Sequence, residues 1–176
     1  MNKLSYSKRR PIAYGISNGV LGATLLLICI GVSSLGIPAL QISAWPGFVA
    51  WACYFAAGGT FNAVKKALAA NTAGMLMGIF MLIVCALLGG SSIALGIGVL
   101  IGAFLICIET VWTPLSFTPG IFAGCACTFG FNATYIEPAS IIALAISLWA
   151  GAFMAWACDG WGAAMAGSDD DTLETL

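Results

Sequence analysis

Apolar residues are gathered into six long blocks, at about residues 11–33, 46–62, 67–88, 92–108, 119–136 and 138–158. Short polar or helix-breaking stretches separate them. These are Pro38 with the residues up to Ala44, the pair Lys65-Lys66, Gly89-Gly90-Ser91-Ser92, the stretch from Pro114 to Pro119, and Asn132 to Pro138. Each block approaches or exceeds the ~17 residues that an α-helix needs to cross a hydrocarbon core of ~30 Å. None of the breaks can house a soluble domain. The pattern predicts an all-α membrane protein with six transmembrane helices.

The blocks also repeat. Pro46-Gly47 recurs at Pro119-Gly120, and Gly78-Ile79-Phe80-Met81 recurs at Gly151-Ala152-Phe153-Met154, both at an offset of 73 residues. In the same register Cys85 lies over Cys158 and Gly74 over Ser147. Nearer the N-terminus the register slips by a few residues, yet Gly19-Val20-Leu21-Gly22-Ala23 still resembles Gly98-Val99-Leu100-Ile101-Gly102-Ala103. Three segments per copy is an odd number, so two copies in one chain must cross a bilayer in opposite directions. The expected organisation is a basic N-terminal stretch at 1–10, one repeat at 11–88, a second at 92–158 and an acidic tail at 159–176. A 3+3 inverted-topology repeat of this kind is common among channels and secondary transporters.

Composition agrees with lipid. Hydrophobic residues make up 61% of the chain and charged ones only 7%, against about a quarter charged in soluble domains. The mean hydropathy is +1.02. All six cations, Lys3, Lys8, Arg9, Arg10, Lys65 and Lys66, precede the first block or separate the second from the third. With both places cytoplasmic, the positive-inside rule is obeyed throughout and both termini are cytoplasmic. Lys8-Arg9-Arg10 before an apolar run imitates a signal peptide, but the run to Ser33 exceeds an h-region of 7–15 residues, so it is read as a retained helix.

The chemistry available is limited. There is no histidine, which removes Ser-His and Cys-His pairs and imidazole proton relays. The seven cysteines all fall within apolar blocks, where they act as small hydrophobes. Cys125 and Cys127 sit two residues apart, and on a helix that separation sends their side chains in different directions. Glu109, Glu137 and Asp159 fall at predicted helix ends, the ordinary place for solvated boundary residues. No enzymatic activity, cofactor or metal is therefore expected. Partners are expected to be the bilayer, further copies of the chain and a small solute, with no nucleic acid. The GxxxG pairs Gly15/Gly19, Gly74/Gly78 and Gly98/Gly102 favour close helix contact and, with closed symmetry, a homo-oligomer.

The Pro-Gly pairs offer the sharpest functional reading. Proline in a first helical turn sacrifices no hydrogen bond, so both pairs can simply start helices two and five. Alternatively these starts dip into the membrane and present backbone to a permeating solute. On that reading Ser43, Pro46, Gly47, Ser116, Thr118, Pro119 and Gly120 lie along the path, and Trp45, Phe48 and Phe122 form an aromatic slot. Asn62 and Asn132 close the two segments in the similar strings Phe61-Asn62-Ala63 and Phe131-Asn132-Ala133, although they do not obey the 73-residue offset.

Trp45-Pro46-Gly47-Phe48, Tyr54-Phe55-Ala56 and the run from Leu115 to Phe129, including Cys125-Ala126-Cys127-Thr128, are similar to the small bacterial inner-membrane proteins of the YcdZ type. Their domain has no assigned function. The resemblance covers most of the chain and implies an all-helical protein of the bacterial inner membrane. Taken together, the expected function is passive passage of a small neutral or weakly charged solute such as urea, a short amide or ammonia. The alternative is a non-transporting membrane subunit that binds a partner protein or lipid.

Reporter fusions test the topology. Fusions near the N-terminus, at Lys65-Lys66 and after Gly167 should report the cytoplasm, and those at Gly89-Gly90 the far side. A periplasmic signal after Gly167 overturns the assignment.

Overall fold

A computed structural model describes residues 6–131 and 136–167. Among these residues the chain is entirely helical. The helices are α1 (Tyr6–Ser33), α2 (Ala44–Ala56), α3 (Phe61–Leu87), α4 (Ser92–Glu109), α5 (Thr118–Phe131) and α6 (Pro138–Ala166), with 3-10 turns at Pro38–Leu40 and Thr113–Leu115 leading into α2 and α5. Four of them, α1, α3, α4 and α6, are long and apolar enough to cross a membrane. The other two differ from the sequence expectation. With 13 and 14 residues at 1.5 Å per residue, α2 and α5 are only about 20 Å long, well short of a ~30 Å core.

Local sequence explains the boundaries. Gly58 and Gly59 end α2 with φ of 107° and 62°, and Gly89 and Gly90 end α3 with φ of 89° and 71°, a region that glycine enters without a Cβ penalty. Thr60 and Ser91 then cap α3 and α4, accepting hydrogen bonds from the N–H groups of Ala63 and Ala94 at 3.4 and 3.1 Å. Helix α3 starts earlier than hydropathy suggested. Lys65 and Lys66 lie on its second turn, not in a loop, because long basic side chains can keep their charges at the water interface while their stems stay apolar. Helix α6 likewise extends past 158 to Ala166.

The segment before α2 is irregular, and its backbone is satisfied by side chains. Ser33 Oγ donates to the carbonyls of Ile42 and Leu40 at 2.7 and 3.4 Å, and Gln41 Nε2 donates to Ser33 O at 3.0 Å. Such pairing is what lets non-helical backbone persist where water is scarce.

Packing joins the halves crosswise. Helix α3 packs most extensively on α5, α6 packs to about the same extent on α1 and α2, and α4 lies on α3. Glycines set these contacts. A Cβ on Gly74 or Gly78 would strike Ile121 or Thr128 of α5, one on Gly151 would strike the backbone of Gly47, and one on Gly98 would strike the Met81 carbonyl. In lipid, apolar burial gives no drive to associate, so the dispersion contacts and Cα–H···O contacts of touching backbones carry the attraction. The basic residues gather at one end of the bundle. Arg10 shares a pocket with the α2–α3 turn and Asp159, and Lys65 lies over Phe61, itself edge-on to Trp156 of α6.

Not every GxxxG pair is used this way. Gly15 and Gly19 have open space around them, with nothing within 4 Å of a Cβ built on either. Valine at Gly74 or Gly151 should therefore abolish the folded state or lower the melting temperature steeply, since backbone cannot retreat from an added side chain. Gly19→Ala should change the melting temperature little. A thermal melt in detergent that ranks Gly19→Ala with Gly151→Val contradicts the packing described.

Candidate functional site at the crossing of the short helices

Both short helices begin inside the bundle. The N–H of Ser43, which caps α2 in extended conformation, donates to Ser147 Oγ at 3.0 Å. Ser147 stands nine residues into α6, about 14 Å from its start. Gly120, in the first turn of α5, packs against Ala70, which stands nine residues into α3, again about 14 Å from that helix's start. Helix α2 runs alongside α6 in the same direction, from Gly47 at Gly151 to Tyr54 at Asp159. Helix α5 runs alongside α3, from Gly124 at Asn71 to Thr128 at Gly78. The two short helices are antiparallel. Trp45 at the start of α2 meets Phe131 at the end of α5, with ring centroids 6.2 Å apart.

Asn71 occupies this crossing. It is 1% exposed, its backbone lies against Gly124 of α5, and its amide faces the Cys53 thiol of α2. Neither Nδ2 nor Oδ1 reaches a partner in hydrogen-bond geometry. Glu109 Oε2, on a half-buried residue, is also without one, but the other polar residues that are buried whole among the described residues are satisfied. Thr128 Oγ1 donates to the carbonyls of Gly124 and Met75 at 3.1 and 3.2 Å, Ser147 Oγ donates to Ala143 O at 2.7 Å, and Ser17 Oγ lies 3.2 Å from Tyr14 O and 3.3 Å from Cys158 Sγ. An amide buried without a partner costs about 1–3 kcal/mol. What the site presents is one donor and one acceptor group, uncharged, in apolar surroundings.

The residues expected to line a path are divided by the structure. Pro46 and Gly47 are buried, with Gly47 under the Ser147 carbonyl. Ser43 is half-buried and contributes its backbone rather than its hydroxyl. Gly120 is buried beneath Phe117 and Ala70, whereas Pro119 is exposed and Thr118 half-buried. Ser116 is exposed and donates to Thr113 O at 2.9 Å. Trp45, Phe48 and Phe122 do not come together. They are 42%, 44% and 44% exposed, and Phe48 covers Gly22 of α1. Asn62 is exposed in the first turn of α3 rather than closing the second segment. Asn132 lies outside the described residues. Cys125 turns toward Met81, at 3.7 Å between sulfurs, while Cys127 packs with Ala50 and Leu148, so helical geometry separates them as expected.

Sequence reasoning passed over Asn71, although a lone amide inside an apolar span was a usable signal. It also read Asp159 as a solvated boundary residue. In the structure Asp159 is half-buried and accepts a 2.7 Å hydrogen bond from Tyr54 Oη, and Tyr54 itself is fully buried. No curated protein and no solved structure matches the chain. Residues 15–163 match a protein family, and the chain thus belongs to the family described as "Protein of unknown function (DUF1097)".

Proposed function

We propose that this protein is a passive facilitator for a small neutral solute bearing amide, hydroxyl or amine groups, crossing the membrane between α2 and α5 past Asn71. The observation that carries the reading is the orphaned Asn71 amide. A polar group retained in an apolar interior without a partner gains one when a polar solute passes, and its lack of charge suits a solute that is not strongly ionised. The entry of α2 and α5 at similar depth from opposite ends supports this. Interrupted helices near the midplane are where inverted-repeat transporters place their solutes.

The crosswise packing supports a 3+3 inverted repeat as the underlying plan. Exchanging the first three helices with the last three turns each contact into another: α3 on α5 into α6 on α2, and α4 on α3 into α1 on α6. Gly74 and Gly78, which meet α5, stand 73 residues before Ser147 and Gly151, which meet α2. Cytoplasmic termini, a bacterial inner membrane and a homo-oligomer belong to the same proposal. They rest on the clustered cations, on the likeness to YcdZ-type proteins and on open glycine faces such as Gly15/Gly19.

The tight seat of Gly151 on Gly47 favours a second reading, a solid membrane subunit that transports nothing. One variant separates the two. Asn71→Leu keeps the branched outline of the side chain, is somewhat larger and removes the amide, so it should leave the melting temperature near that of the parent, the loss of an unsatisfied group offsetting tighter packing. In proteoliposomes it should reduce permeability to urea, acetamide or ammonia to that of empty vesicles. Flux in the parent protein should be indifferent to a pH gradient, given the absence of histidine. Flux unaltered by Asn71→Leu, or absent from the parent across the panel, sinks the facilitator reading.

A further inference from the structure

The basic end of the bundle carries a second polar site, separate from the crossing. A cavity of about 530 Å³ is lined by Arg10, Pro11 and Tyr14 of α1, Phe55 of α2, the turn Gly58-Gly59, and Asp159 of α6. Its two charges are opposite, and no ion pair joins them among the described residues. The Arg10 guanidinium instead lies over the Tyr14 ring, 5.6 Å from its centroid, and the Tyr14 phenol stands between the two charges, within hydrogen-bonding reach of both Asp159 and Arg10. Asp159 is fixed rather than free. Tyr54 Oη holds its Oδ2 at 2.7 Å from a fully buried position, which leaves the carboxylate with further acceptor sites directed elsewhere.

The turn Gly58-Gly59 forms the wall opposite that carboxylate. Gly58 and Gly59 have positive φ, and a Cβ on Gly59 would come within 3.4 Å of Asp159 Oδ2. A Cβ there would be in ordinary contact with the carboxylate, and the positive φ of the turn is what favours glycine. The aromatic rings of Tyr14 and Phe55 line the space between, and their faces favour an ammonium over a neutral group. At the other side the planar Arg10 fork suits a carboxylate or phosphate.

We infer that this cavity binds a small zwitterion, with its ammonium group at Asp159 and its anionic group at Arg10. The Tyr54 and Tyr14 hydroxyls and solvent meet these charges only in part, and a ligand carrying both an ammonium and an anionic group spans them directly. This chemistry has two sources, a free amino-acid-like solute or the headgroup of phosphatidylethanolamine at the membrane surface. The inference goes beyond the proposed facilitation and does not rest on it. The cavity lies next to the start of α1 and the end of α6, and Asn71 takes no part in it.

The full chain in nanodiscs of phosphatidylglycerol alone, which offers no zwitterionic headgroup, should bind phosphoethanolamine or glycine by titration calorimetry. Ethanolamine and methyl phosphate, each with one of the two charges, should bind roughly tenfold more weakly. Arg10→Gln and Asp159→Asn should each weaken zwitterion binding by roughly tenfold or more, whereas Asn71→Leu leaves it intact. Arg10 is exposed, so its variant keeps the fold even where Asp159→Asn does not. Native mass spectrometry distinguishes the sources. Phosphatidylethanolamine retained by the parent and lost in Arg10→Gln identifies the headgroup, and calorimetric binding without such retention identifies a free solute. Absence of both kinds of binding overturns the inference, as does binding that survives Arg10→Gln undiminished.

Discussion

The close approach of backbone to backbone is the constraint on which this architecture depends. Where Gly151 meets Gly47 and Gly74 meets Ile121, a short helix lies against a long one with no side chain between them. Lipid tails solvate apolar side chains as well as a neighbouring helix does, so the helices are held by contact density rather than by exclusion of water. Those contacts fix how far along α6 and α3 the short helices sit. Everything else follows from that depth, including the crossing at Asn71 and the turn that walls the cavity at Asp159.

Starting a helix within the bundle exposes N–H groups that water cannot reach, and the chain resolves this with residues chosen for the purpose. Pro46 and Pro119 stand in the first turns of α2 and α5 and have no N–H to leave unpaired. Ser147 on α6 takes the N–H of Ser43, while Ser33 and Gln41 bind the carbonyls around the entering strand. The same reasoning makes Asn71 conspicuous. A fold that satisfies its backbone this closely has retained one side-chain amide without a partner.

Much of the fold was readable before the structure, for physical reasons that also define what was missed. Hydropathy located the apolar blocks because a bilayer demands length and apolarity above all. It carried the second block on to Asn62 because small and apolar residues continue past Ala56, although Gly58 and Gly59 turn the chain there and Thr60 already caps α3. Gly74, Gly78, Ser147 and Gly151, which the sequence marked as small residues in one register, all stand where a short helix meets a long one, since packing against a backbone tolerates only small residues. Side-chain chemistry was harder to read. Asn71 sits between alanine and threonine in an apolar helix, and only its orientation toward Cys53 and Gly124 separates it from a surface amide. Asp159 resembles any boundary carboxylate until Tyr54 is seen behind it.

The positions 73 residues apart divide into two kinds. Small residues are matched, as at Gly47 and Gly120, or Gly78 and Gly151, and these make the helix contacts. The polar residues of interest are not matched. Asn71 corresponds to Leu144, Tyr54 to Cys127 and Asp159 to Ala86. Packing between backbones leaves little freedom, because any larger side chain displaces a helix, so small residues recur where a short helix meets a long one, although Gly124, seated on the Asn71 carbonyl, stands 73 residues after Trp51. A side chain directed into a crossing or a cavity can vary without disturbing that framework. Such polar chemistry makes the two ends of the bundle differ: the opposed charges of Arg10 and Asp159 lie at the end where the other basic residues gather. A framework of close small-residue contacts thus acquires direction from the few polar side chains set into it.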